Sequence, residues 1–122
     1  MKISQEMEGI DFEWFATDKS GNLAVFTTAG EGDIPEFVLA NIELHSSISE
    51  KIELKNWGST NVWLDYANFG LFAFDWCSKR SIYVKMASPN ALAKFVVNTG
   101  SINQFPKIEL EFNEALEVQV RT

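Results

Sequence analysis

The sequence has few of the residues from which metal sites and disulfides are built. Among its 122 residues there is one cysteine, Cys77, and one histidine, His45. A single cysteine excludes an intramolecular disulfide, and one His with one Cys cannot supply the four ligands of a structural zinc site. The turn Asp18 to Gly21 lacks the repeated carboxylates of a calcium loop. We therefore expect neither a metal nor a cofactor.

Long apolar runs are absent as well. No stretch approaches the ~18 apolar residues that a membrane-spanning helix needs. Residues 1–6 contain no apolar run that could serve as a signal peptide. The single cysteine fits a reducing compartment. These features together predict a cytoplasmic protein that does not bind a membrane.

Basic residues are scarce relative to acidic ones, at 10 against 17, which gives a net charge of −7. Residues 1–61 carry 11 acidic and 4 basic side chains, whereas residues 62–122 carry six of each. An acidic surface repels phosphate backbones, so this balance argues against nucleic-acid binding. It would speed encounter with a basic protein. The alternative is that the acidic surface simply keeps a small protein soluble.

Apolar residues are abundant, at 46% of the chain with ten phenylalanines. A chain of this length forms one domain, residues 1–122, that buries about two-thirds of its unfolded surface. The stretch Phe69 to Trp76 is apolar on both faces when it is read as a strand. Leu71, Ala73 and Asp75 share one face, and Phe72, Phe74 and Trp76 share the other. Such a pattern predicts a strand at the centre of a sheet.

The remaining elements follow from periodicity and turn residues. Phe12 to Thr17 and Leu23 to Thr28 predict a hairpin, because Asp18 and Gly21 lie in the turn between them. Helices are predicted over residues 34–44 and 46–56, and 62–66 is expected to lead into the central strand. Residues 81–87 predict an antiparallel return strand, residues 91–98 fit either a helix or a strand, and alternation over 107–120 predicts a last hairpin. The expected fold is therefore α+β, with an antiparallel sheet of five or six strands and one or two helices after the first hairpin.

Several residues invite a catalytic interpretation that the sequence does not favour. His45 is expected on a helix surface, far from Cys77 in the chain. The turn from Gly30 to Asp33 precedes a helix, but its two carboxylates would repel a phosphate, so we interpret it as a turn with a helix cap. Asp65 and Asp75 could pair as glycosidase carboxylates, although nothing in the sequence sets their separation. Asp75 is instead expected to bond to the turn of residues 78–80.

Two stretches of the chain, residues 12–36 and 69–89, carry a family resemblance. The first contains Trp14-Phe15-Ala16-Thr17-Asp18, Gly21-Asn22-Leu23-Ala24-Val25-Phe26, Ala29-Gly30-Glu31-Gly32 and Ile34-Pro35-Glu36. The second contains Gly70-Leu71-Phe72-Ala73-Phe74-Asp75-Trp76, Tyr83 and Ala87-Ser88-Pro89. Together they resemble small acidic bacterial proteins encoded beside polymorphic or contact-dependent toxins and taken to be immunity proteins. The resemblance implies binding to a toxin and no catalytic residue.

The sequence supports two hypotheses for function. The first is a non-enzymatic immunity factor that masks a toxin's active site, with Glu31, Asp33 and Glu36 as the contact surface. The second is a carbohydrate- or small-ligand-binding domain that uses Trp57 and Trp63 to stack on its ligand. An enzyme ranks third, because no catalytic constellation is present. The oligomeric state does not follow from the sequence.

Overall fold

A computed structural model describes residues 11–52, 54–90 and 105–120. The fold is α+β. Its elements, in chain order, are β1 (Glu13–Thr17), β2 (Leu23–Thr27), α1 (Glu36–Leu39), α2 (Ile42–Lys51), α3 (Val62–Asn68), β3 (Phe72–Cys77), β4 (Ile82–Ala87) and β5 (Glu117–Val118). None of the helices in these ranges is long and apolar enough to cross a membrane.

The strands form one five-stranded mixed sheet in the order β1-β2-β3-β4-β5. The β1–β2 hairpin is antiparallel, as predicted, and its turn contains Gly21 at φ +85°. The β3 and β4 strands also pair antiparallel, as predicted. The β2 and β3 strands, however, are parallel, so the prediction of a purely antiparallel sheet is wrong. Parallel neighbours need a crossover connection, and α1, α2 and α3 lie within it.

The central position of β3 and the assignment of its faces are confirmed. Phe72 and Phe74 belong to one apolar cluster, and Leu71 and Ala73 belong to the other, on the opposite face of the sheet. On the first face, Trp14 stacks on Phe26 at a ring separation of 4.2 Å, and Phe26 stacks on Phe74 at 5.0 Å. This aromatic row crosses three neighbouring strands, because their register aligns the three side chains.

Helices cover the second face of the sheet. Ile48 and Ile52 at α2, with Tyr66 of α3, pack in the same cluster as Leu71. The segment 62–66, expected to lead into the central strand, belongs to helix α3. Its buried residues Val62, Asp65 and Tyr66 have the i, i+3, i+4 spacing of one helical face. Two helices are present where 34–44 and 46–56 were predicted, but α1 ends at Leu39, α2 already begins at Ile42, and α2 ends earlier than expected, at Lys51.

The predicted C-terminal hairpin is wrong. Residues 107–112 do not pair with 116–120, and only β5 joins the sheet, through β4. Instead, the backbone amide of Ile108 donates to the Thr17 carbonyl at 2.8 Å, and Lys19 donates to the Leu110 carbonyl at 3.0 Å. The alternation still identifies buried side chains, because Phe112 lies in the first-face cluster with Trp14. Residues 91–98, left open between helix and strand, lie outside the described residues.

Candidate binding site

The topology brings carboxylates from distant parts of the chain to one edge of the sheet. Strands β2 and β3 are parallel, so Thr27 and Asp75 lie near the same edge, at their carboxyl ends. Asp11 precedes β1, which runs antiparallel to β2, and its Oδ1 accepts a hydrogen bond from the Ala29 amide at 3.2 Å. In open sheets, ligands bind in crevices outside the carboxyl ends of parallel strands. This edge is therefore the natural candidate site.

The loop between β2 and α1 adds two more carboxylates to this edge. The Ser78 hydroxyl, just after β3, donates to Glu31. The Tyr83 hydroxyl donates to the backbone carbonyl of Asp33 at 2.8 Å, and the Asp33 carboxylate lies close enough for its charge to raise the pKa of that hydroxyl. We refer to the carboxylates that lie here as the acidic edge, which consists of Asp11, Glu31, Asp33 and Asp75.

A groove of about 430 Å³ opens beside the acidic edge. We call it the aromatic groove; its main lining side chains are Asp11, Thr27, Trp57, Trp63, Tyr66 and Asp75. The Trp57 side chain is 66% exposed. Trp63 is half-buried and its ring lies 5.9 Å from that of Tyr66. The two tryptophans proposed from the sequence thus line one groove together with two carboxylates.

Buried polar contacts hold the walls of the aromatic groove. Asp65 accepts hydrogen bonds from the Asn56 amide at 2.8 Å and the Asn56 side chain at 2.9 Å, which ties the loop carrying Trp57 to α3. Tyr66 donates to Glu13, so α3 is also fixed to β1. Asp65 therefore has a structural role here, and it is not among the residues that line the groove with Asp75.

The sequence predicted that Asp75 bonds to the turn of residues 78–80, and this prediction is wrong. The Oδ1 atom of Asp75 accepts a hydrogen bond from the Thr27 hydroxyl at 2.6 Å. The reason is the parallel register, which places Thr27 directly opposite Asp75 on the neighbouring strand. A residue 48 positions away in the chain could not be identified without the sheet order.

The charges of this edge affect two titratable groups, Asp11 and Tyr83. Burial raises the pKa of Asp11, and the negative charge of Asp75 raises it further, against the opposing hydrogen bond from Ala29. Burial likewise raises the pKa of the Tyr83 hydroxyl, and the charges of Asp33, Asp75 and Asp11 add to the effect. Within the described ranges the one salt bridge joins Arg80 to Glu117, so no cation there pairs with the acidic edge.

The residues predicted as a contact surface are distributed unevenly. Glu31 is exposed and Asp33 is half-buried, both on the acidic edge. Glu36 is exposed at the first position of α1 and does not line the aromatic groove. Sequence reasoning missed Asp11, although the register of the first hairpin could have placed it beside Ala29.

The glycine turn before α1 is a structural feature. Amides of Glu31 and Gly32 donate to the Thr28 carbonyl at 3.0 and 2.8 Å, so they are not available to cradle an anion. A Cβ on Gly32 would lie 2.5 Å from the Tyr83 hydroxyl. Glycine is thus needed here because two chain segments approach closely, and not for a positive φ.

The sequence predicted His45 on a helix surface, but the residue is fully buried. Its Nδ1 accepts a hydrogen bond from the Phe15 amide at 3.0 Å, and burial lowers its pKa to about 4. Its ring packs against Phe15 and Phe105. Cys77, at the end of β3, is a free thiol. Since Nδ1 is occupied by a backbone amide, His45 acts as a structural acceptor and not as a base for Cys77.

Within residues 11–52, 54–90 and 105–120, no group of three or more His, Cys, Asp or Glu side chains is arranged to hold a metal ion. The site is an acidic and aromatic surface. No protein family, no curated protein and no solved structure matches this chain.

Proposed function

We propose that this protein is a non-enzymatic binding protein, an immunity factor that neutralises a cognate bacterial toxin in the cytoplasm by protein–protein contact. The observation that supports the proposal is the gathering of Asp11, Glu31, Asp33 and Asp75 at one edge of the sheet. The negative electrostatic potential of these carboxylates attracts a basic partner. When the acidic edge covers the toxin's active site, that site is masked.

Exposed aromatic residues beside the charges strengthen the proposal. Interfaces typically take most of their binding energy from a few residues, with Trp enriched among them. Trp57, 66% exposed next to the acidic edge, is suited to this role. The carboxylates would then set the association rate and the orientation, whereas Trp57 would slow dissociation.

The experiment compares charge reversal at the predicted surface with a matched control. The test variant carries Glu31→Lys, Asp33→Lys and Glu36→Lys. The control variant makes the same change of charge at three exposed acidic residues elsewhere, namely Glu43, Glu50 and Glu114. Each is co-expressed with the toxin candidate encoded beside this gene, and cell survival, complex formation and association rates are measured.

We expect the test variant to associate more slowly than the control, with a weaker dependence on salt, because salt screens steering charges over ~8–10 Å. Wild-type protein that neither forms a complex nor rescues cells would refute the immunity function. Equal association rates for both variants would retain the function but move the binding surface away from Glu31, Asp33 and Glu36.

A second candidate function is binding of a carbohydrate or small ligand. It is favoured by one observation, that Trp57 and Trp63 line the same groove as the Asp11 and Asp75 carboxylates. Aromatic faces stack on sugar rings, and carboxylates accept hydrogen bonds from hydroxyl groups. Titration with oligosaccharides should quench tryptophan fluorescence in this case, and Trp57→Ala should abolish the quenching. A flat titration would exclude carbohydrate binding.

A further inference from the structure

The aromatic groove has a chemistry that is more selective than a general acidic surface. Its volume of about 430 Å³ is within the range of pockets that bind small molecules. Its walls combine the aromatic rings of Trp57 and Trp63 with the carboxylates of Asp11 and Asp75. Carboxylates repel anions, and aromatic faces attract cations through their ring quadrupoles. Both kinds of wall therefore favour a positive charge.

The described part of the protein does not itself supply that charge. Its one salt bridge is Arg80–Glu117, and its one cation over an aromatic ring is Lys85 over Phe72. Neither lies in the groove. The Thr27 hydroxyl satisfies Oδ1 of Asp75 and fixes the orientation of the carboxylate, but it does not neutralise the negative charge.

The charge of Asp75 also disfavours the ionised form of Asp11. Burial and the charge of Asp75 raise the pKa of Asp11, which means that the ionised pair is unfavourable without a counter-charge. A cation placed between them would remove this repulsion. Trp57, at 66% exposure, is accessible to cover such a cation from the solvent side.

We propose that the aromatic groove receives an arginine side chain of a basic protein partner, held by Asp11 and Asp75 and covered by Trp57. The inference deepens the proposed immunity function and rests on it for the identity of the partner. Arginine is preferred over lysine because its planar guanidinium can stack on an indole while it donates several hydrogen bonds to carboxylates. Occupancy of the groove by the partner would thus add specificity to the steering supplied by Glu31 and Asp33.

The groove is tested first with a small probe, N-acetyl-arginine methylamide, followed through the indole N–H resonances in two-dimensional NMR. The matched control is the corresponding citrulline derivative, which has nearly the same shape but no charge. We expect saturable shifts of the Trp57 and Trp63 indoles with the arginine probe and none with citrulline. Equal shifts with both probes, or no shift with arginine, would overturn the inference.

Two variants establish whether the groove is responsible. Asp75→Asn removes the charge but keeps an acceptor for the Thr27 hydroxyl, and Trp57→Ala removes an exposed ring that the core does not need. Each should weaken arginine binding by about fivefold or more. Phe37→Ala, also an exposed aromatic and not part of the groove, is the control and should change nothing. Unaltered affinity in both groove variants would contradict the proposal.

The same variants separate this inference from the immunity function. If the toxin complex forms with equal affinity for wild type, Asp75→Asn and Trp57→Ala, the function stands and the arginine site is refuted. If the arginine probe binds as described but no toxin complex forms, the cation site stands and the proposed function fails. If both groove variants weaken the toxin complex, and replacing the toxin's contacting arginine with lysine does not restore it, the result supports both the immunity function and the arginine site.

Discussion

The burial of His45 leads to a specific expectation for the pH dependence of stability. Its Nδ1 accepts the Phe15 amide hydrogen at 3.0 Å, and among the described residues no group accepts a hydrogen bond from Nε2. Protonation would place a hydrogen on Nδ1 facing that amide, and it would put an unsolvated charge in the core. The folded protein therefore keeps His45 neutral, and burial lowers its pKa from 6.5 to about 4.

The magnitude follows from that shift. In the unfolded chain His45 takes up a proton as the pH falls through about 6.5, whereas the folded protein resists this until about pH 4. Protons thus favour the unfolded state over this window. At about 1.4 kcal/mol for each pH unit, the free energy of unfolding should fall by about 3 kcal/mol between pH 6.5 and pH 4. Above pH 6.5, where His45 is neutral in both states, it should not lower the free energy of unfolding.

The assay is urea unfolding at closely spaced pH values, followed by tryptophan fluorescence, for wild type and His45→Asn. The asparagine Oδ1 can still accept the Phe15 amide hydrogen but does not titrate. The variant will be less stable throughout, because ring packing is lost, so the comparison is between slopes. Asp11, Glu13 and Asp18 also have shifted pKa values, but they are common to both proteins. Identical slopes, or an NMR pKa near 6.5 for His45, would refute the reasoning.

Two further predictions concern the core and the turns. Phe74→Ala should lower the free energy of unfolding by about 3–5 kcal/mol, because this ring is fully buried in the aromatic row, whereas Phe37→Ala should have little effect. If urea denaturation shows that Phe74→Ala and Phe37→Ala lower the free energy of unfolding by similar amounts, the central position of β3 is contradicted. Gly32→Ala should cost about 1–3 kcal/mol through its clash with Tyr83. Gly21→Ala, in open space at φ +85°, should cost about 1 kcal/mol, and a raised melting temperature in either variant would be inconsistent with these geometries.

Local patterns predicted much of the secondary structure. The turn residues Asp18 and Gly21 were sufficient to locate the first hairpin, because they stabilise a turn through short-range contacts. The same carboxylate of Asp18 also accepts the Phe112 amide at 3.0 Å, which ties the hairpin to the C-terminal segment. That second bond joins residues 94 positions apart, so no local pattern could reveal it.

The candidate site was only partly predictable for the same reason. The sequence predicts two separate surfaces, an acidic one of Glu31, Asp33 and Glu36 and an aromatic one of Trp57 and Trp63. The structure brings Trp57 and Trp63 to a groove beside the acidic edge, since the crossover from β2 to β3 returns α3 to that end of the sheet. The sequence does not single out Asp11, because the charge that acts on it, that of Asp75, is brought near it by another strand.

By itself, the sequence determined which side chains of β3 share a face, because successive side chains of a strand point to opposite faces of the sheet. It also determined the acidic charge and the hairpin turn. Only the tertiary structure decided that β2 and β3 are parallel, that residues 107–112 lie along the end of β1, and that His45 is buried. The physical reason is that periodicity encodes the direction a side chain faces. The partner that it meets there depends on the path of the loops between elements.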